Sequence, residues 1–118
     1  MEFDVIQNGA VTHLKMKQTR LDAAGAIGFK EAVRAIADDG ADYILLDMSN
    51  VAFMDSSGLG ALVSVMKYMG AEKKFEITCL TPVVEKVFKL TRMDEVFRVH
   101  KSTEDAFMAA ELAESSLS

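Results

Sequence analysis

Residues 43–60 read Tyr43-Ile44-Leu45-Leu46-Asp47-Met48-Ser49-Asn50-Val51-Ala52-Phe53-Met54-Asp55-Ser56-Ser57-Gly58-Leu59-Gly60, and their reading decides the fold. Tyr43 to Leu46 is a continuous apolar run, the pattern of a strand covered on both faces. The chain then loops through Ser49-Asn50, and four apolar residues, Val51 to Met54, lead into Asp55-Ser56-Ser57-Gly58, where a helix begins. Its predicted apolar stripe is Leu59, Leu62, Val63, Met66 and Met69, ending before Gly70.

Upstream, Phe3 and Val5 and then Val11 to Met16 form two short strand-like runs around Asn8-Gly9. Asn-Gly tolerates positive φ at both positions, so a type I′ hairpin is expected there. Asp22 is placed to cap a helix running to about Asp38, with Phe29, Val33 and Ile36 inward beside Ala26, Ala32 and Ala37, and Gly40 as its stop. Downstream, Phe75 to Leu80 reads as another buried strand, and Pro82 suits the first turn of a third helix carrying Val84, Val87 and Phe88 inward. Val96 to Val99 is expected as a short edge strand, and Thr103-Glu104 opens a last helix with Phe107 and Leu112. The order is β-β-α-β-α-β-α-(β)-α. Strands alternating with helices imply parallel pairing through crossovers, after one antiparallel hairpin.

Composition narrows the function. The 118 residues suit one domain, half hydrophobic and about a quarter charged, with net charge -5 and no block of like charges. Phosphate-backbone binding needs clustered Lys and Arg, so nucleic acid is not an expected partner, and mild acidity gives no attraction to anionic lipid. Cys79 is the single cysteine, so no internal disulfide forms, and it reads as a small buried hydrophobe. With His13, His100 and Cys79 far apart, no metal-ligand spacing exists. Met1-Glu2-Phe3-Asp4 does not open a signal peptide, and no apolar run approaches the ~20 residues that span a bilayer. A cytoplasmic, soluble, single-domain protein is the expectation.

Enzyme signals are weak. Ser56 and Ser57 lack the Gly-x-Ser-x-Gly context of a hydrolase nucleophile, and each histidine reads as a half-exposed sheet residue. Gly58-Leu59-Gly60 begins a dinucleotide fingerprint, but Val63 stands at the third glycine, and no Gly-Lys-Ser/Thr follows. No catalytic residue, cofactor or metal is expected. Asp38-Asp39 reads as a solvated helix end, and Met48, Met54, Met66 and Met69 as core filling. The Asp55 segment stands apart: it sets two hydroxyls at a helix N-terminus, where unpaired N–H groups and the positive end of the dipole gather. Asp55 or Ser56 suffices as a cap. A hydroxyl there also suits a phosphate, which adds about -1.5 to -2 charge. Helix physics leaves both readings open.

Ile44-Leu45-Leu46-Asp47, leading through Val51, Phe53 and Met54 to Asp55-Ser56-Ser57-Gly58-Leu59-Gly60, resembles the signature strand–loop–helix of the STAS family, the bacterial anti-sigma factor antagonists. Leu21-Asp22 resembles its second landmark, and Cys79-Leu80-Thr81-Pro82-Val83 followed by Val87-Phe88 its third. The resemblance implies an α/β STAS fold: a four- to five-stranded mixed sheet with an N-terminal antiparallel hairpin and about four helices packed mainly on one face. It would fill residues 1–113, with 114–118 as a loose tail.

The resemblance also implies partner switching. The unphosphorylated form would bind an anti-sigma factor that is also a serine kinase with a histidine-kinase-like ATPase domain. That kinase would phosphorylate Ser56, and a serine phosphatase would reset it. Asp22, Asp55, Ser57, Gly58, Leu59 and Gly60 would form the docking surface, with Gly58 and Gly60 admitting a partner's backbone. Thr19-Arg20 departs from the Gly-Glu or Gly-Asp that the family often has before Leu-Asp; it would put a basic residue near the site, where Arg20 would be able to pair with a phosphate on Ser56. The alternative is an unmodified STAS adaptor in a transport or signalling complex, and a hydrolase is a distant third.

Overall fold

A computed structural model describes residues 2–117, with side chains described as far as Ala113. β1 (Phe3–Asn8) and β2 (Val11–Met16) pair antiparallel from Phe3↔Met16 to Asn8↔Val11. That register leaves Gly9 and Ala10 as the turn, not Asn8 and Gly9. Gly9 has φ +61°, and Ala10 is not in the positive-φ region. Positive φ at the first position alone is the type II′ pattern, for which Gly is the required first residue. The type I′ expectation fails because Asn8 is taken up by the ladder.

The remaining elements are β3 (Arg20–Leu21), α1 (Ala23–Asp38), β4 (Tyr43–Asp47), β5 (Phe53–Met54), α2 (Ser56–Met69), β6 (Lys74–Thr78), α3 (Pro82–Leu90), β7 (Val99–His100) and α4 (Thr103–Leu117). The main sheet has the order β1-β2-β4-β6-β7, with every pair after the hairpin parallel. β3 and β5 form a separate two-stranded parallel ladder. Two residues are too few to show a period, so this ladder left no mark in the hydrophobic pattern.

Side chains alternate across the sheet. Leu14, Met16, Ile44, Leu46, Phe75 and Ile77 share a core with Phe29 and Val33 of α1, Leu62 and Val65 of α2, and Val84 and Phe88 of α3. Val11, Tyr43 and Leu45 form a smaller core against Ala106 of α4. Three helices therefore cover one face and α4 the other, and β4 is buried at all five positions. Phe29 is fully buried, and truncating such a side chain to Ala costs about 3–5 kcal/mol.

Several details differ from the sequence reading. The inner face of α2 is Gly58, Ala61, Leu62, Val65 and Met69, while Leu59, Val63 and Met66 are only partly buried. The small residues Gly58 and Ala61 let α2 sit close, which rotates the stripe away from its larger side chains. The edge strand lies at Val99–His100 rather than from Val96, which is exposed. Leu112 is exposed, and among the described residues of α4 Ala106 is the buried one. Cys79 follows β6 with φ +61° and is half-buried, its Sγ 3.7 Å from Thr103 Oγ1. The segment expected as a loose tail, 114–118, has its side chains and all of Ser118 outside the described residues.

Both histidines are buried rather than half-exposed. His13 Nε2 lies 2.9 Å from Asp47 Oδ2, and His100 Nε2 lies 2.8 Å from Glu76 Oε1, to which Tyr43 also donates. Burial, then the bond to Glu76, pushes the Tyr43 hydroxyl well above its usual pKa. Burial also raises Asp47, but the bonds from Ser49 and His13 outweigh it and leave the carboxyl below its ordinary range. These pairs line the α4 side of the sheet.

Candidate functional site

The loop from β4 to α2 is pinned at nearly every residue. Ser49 N donates to Asp47 Oδ1 at 2.9 Å, and Asn50 Nδ2 donates to the Met16 carbonyl at 2.9 Å. Met48 N donates to the Thr78 carbonyl, Ala52 N to the Thr19 carbonyl, and Thr81 Oγ1 to the Val51 carbonyl. β5 then runs beside β3, Arg20 facing Phe53 and Leu21 facing Met54. The chain enters α2 on a track fixed by three other segments, so Ser56 is presented from a rigid base.

Asp55 is the N-cap of α2, with extended backbone, and its Oδ1 accepts from Gly58 N at 3.0 Å. Its Oδ2 accepts from Ala23 N, the first amide of α1, at 3.3 Å. One carboxylate thus ties the N-termini of two helices together, each of which favours a negative charge. Ser56 and Ser57 are the first two helical residues, and both are exposed. Asp55, not Ser56, is the cap, so the Ser56 hydroxyl is not spent on the helix.

Asp22 takes the N-cap position of α1, but its carboxylate makes no cap bond. It accepts instead from Arg20 Nε at 3.1 Å, and the Arg20 guanidinium lies 4.4 Å over the Phe53 ring. The hydrogen bond and charge of Arg20, helped by the nearby Gly25 and Ala24 amides, outweigh partial desolvation and hold the Asp22 carboxyl below the usual carboxylate range. Leu59 is half-buried, and Gly60 is exposed with open space where a Cβ would stand.

Gly58 is placed differently from its sequence role. It is buried, and a Cβ on it would lie 2.1 Å from the Leu21 carbonyl oxygen and 2.8 Å from its carbon. The close approach that this glycine permits is made by the chain's own β3. Asp22, Asp55, Ser56, Ser57 and Gly60 come together at the shared end of α1 and α2, with Gly58 beneath them. Phe53 is the site residue that the pattern did not assign; Arg20, which the Thr19-Arg20 departure singles out, lies over its ring. His13 and His100 lie under α4, on the sheet face away from the core that α1 and α2 cover.

Among the described residues, no group of three or more His, Cys, Asp or Glu is placed to hold a metal ion, and no helix is long and apolar enough to cross a membrane.

A family described as the STAS domain matches residues 2–106. The anti-sigma-B factor antagonist of Staphylococcus aureus is 27% identical over 85 residues, covering 71% of this chain and 79% of that protein. The crystal structure of an anti-sigma factor antagonist from Mycobacterium paratuberculosis superposes with a TM-score of 0.82 at 24% identity, covering 92% of each chain. The Bacillus cell fate determinant SpoIIAA in its phosphorylated form superposes with a TM-score of 0.66 at 19% identity, covering 92% of this chain and 99% of that one. At these identities the two structures share the fold with this chain.

Proposed function

We propose that this chain, which belongs to the STAS domain family, is an anti-sigma factor antagonist that works by partner switching from the end shared by α1 and α2. The observation that carries the reading is the exposed Ser56 at the first position of α2, set directly after a cap that leaves its hydroxyl unused. A phosphate at a helix N-terminus meets first-turn N–H groups and the positive dipole end, so the fold tolerates it. The name of the Staphylococcus relative agrees with this role.

The unmodified protein presents Asp22, Asp55, Ser57, Leu59 and Gly60 to an anti-sigma factor that is also a serine kinase. Gly58 supports that surface from below. The Ser56 hydroxyl attacks the γ-phosphorus of the kinase's Mg·ATP, its proton passes to a base of the kinase, and ADP leaves. The new charge of about -1.5 to -2 sits beside Asp55, and this repulsive, hydrated group opposes redocking. A phosphatase that hydrolyses the ester restores the first state. The chain acts as substrate and ligand in the cytoplasm and catalyses no step itself.

The test is intact-mass analysis after incubation with a cognate anti-sigma factor carrying a histidine-kinase-like ATPase domain and Mg·ATP. One phosphoryl group is expected, retained in Ser57→Ala and absent in Ser56→Ala. Equal phosphorylation of Ser56→Ala removes the site assignment. Ser56→Asp is expected to weaken binding to the same kinase by calorimetry, and unchanged affinity argues against charge at this helix end as the switch.

A further inference from the structure

Arg20 sits in an arrangement that its present partners do not exhaust. Its side chain is 61% exposed, whereas that of Asp22 is 23% exposed. Stacking on Phe53 fixes the plane of the guanidinium. Among the described residues its one hydrogen bond is from Nε to Asp22, which leaves the Nη donors of the fork for another acceptor.

The segments 20–23 and 53–56 run side by side. Arg20 faces Phe53, Asp55 N donates to the Leu21 carbonyl at 3.4 Å, and Ala23 N donates to Asp55 Oδ2. Ser56 and Arg20 therefore flank the same pair of acidic residues. Arg20 thus holds the carboxylate of the residue at the α1 N-cap, close to the first amides of that helix. Asp22 has the extended backbone of an N-cap, its carboxylate makes no cap bond, and the α1 amides of Gly25 and Ala26 are bonded to its main-chain oxygen.

We propose that Arg20 is the residue that receives the phosphate on Ser56, exchanging Asp22 for the phosphoryl oxygens. This rests on Ser56 being the modified residue. A phosphate offers about -1.5 to -2 charge and three acceptor oxygens against the single charge of a carboxylate, and the guanidinium fork engages it bidentately. Asp22, released, turns onto the N-terminus of α1. Modification then changes the surface in three places: a phosphate appears at Ser56, the guanidinium moves, and the Asp22 carboxylate withdraws.

The test installs phosphoserine at position 56 of the full chain by codon expansion and follows the phosphate by phosphorus NMR as pH is varied. In the wild type its second pKa is expected roughly 0.5–1 unit lower than in Arg20→Gln, because a neighbouring cation favours the dianion. Arg20→Lys is expected to recover part of that drop, which a merely structural role of the side chain would not give. Identical phosphate titration in the wild type and Arg20→Gln overturns the proposal. Because the phosphate is installed genetically, that result is independent of whether a kinase accepts Ser56, which the intact-mass experiment decides.

Discussion

Two aspartates occupy the same local position and do opposite things. Asp22 and Asp55 each precede a helix, each with extended backbone at the N-cap. Asp55 caps its own helix and reaches across to the first amide of α1; the Asp22 carboxylate makes no cap bond and is held by Arg20. The α1 end is thus satisfied partly by the other helix's aspartate, and Asp22 is left facing outward as a charged group. A residue's capping propensity fixes what it can do, and the neighbouring chain decides whether it does it.

The strongest way to break the contrast is at the seam beneath it. Gly58→Ala forces a methyl group into the Leu21 backbone, which cannot give way as a flexible side chain would. It is expected to destabilise by about 3 kcal/mol, the upper end of ordinary overpacking, read as a lowered urea midpoint. A midpoint equal to wild type would mean that β3 moves freely against α2. Asp55→Ala comes next, with an expected loss of about 1–2 kcal/mol, while Asp55→Asn retains most of the cap. Equal losses for the two substitutions would show that charge, rather than the hydrogen bonds to Gly58 and Ala23, holds the junction.

Asp22→Ala is expected to lower the urea midpoint less than Asp55→Ala does, since it loses the pairing with Arg20 but no cap bond. A fall matching that of Asp55→Ala would erase the distinction between the two residues. The smallest effect is in the titration. The Asp22 carboxyl, lowered by Arg20, should titrate by carbon NMR below an ordinary aspartate, and Arg20→Gln should raise it. Its folded pKa lies below the unfolded one, so its contribution to stability is present above the unfolded pKa and is lost as pH falls through the folded value. An Asp22 midpoint that Arg20→Gln does not move would show that the ion pair seen here does not persist in solution.

Much of the architecture was legible along the chain because it depends on local periodicity. The apolar run of β4, Pro82 opening α3 and the Asp22–Asp38 span of α1 all express patterns of a few consecutive residues. The hairpin turn was misplaced by one residue because Asn8-Gly9 is itself a good turn pair, and only the cross-strand register shows that Asn8 pairs with Val11. His13 and His100 read as half-exposed because their carboxylate partners lie 34 and 24 residues away. At the site, the cluster Asp55-Ser56-Ser57-Gly58 was visible as a helix start, but the reason for its glycine was not.

By itself, then, the sequence determined the order of strands and helices, the buried central strand and the place where α2 begins, since hydrophobic period and capping chemistry are local. The packed fold alone settled which aspartate caps, why position 58 has no room for a side chain, and that Arg20 is held by Phe53 and Asp22. Those outcomes depend on β3 lying against β5 and α2, a contact between segments some thirty residues apart that leaves no periodic trace in either.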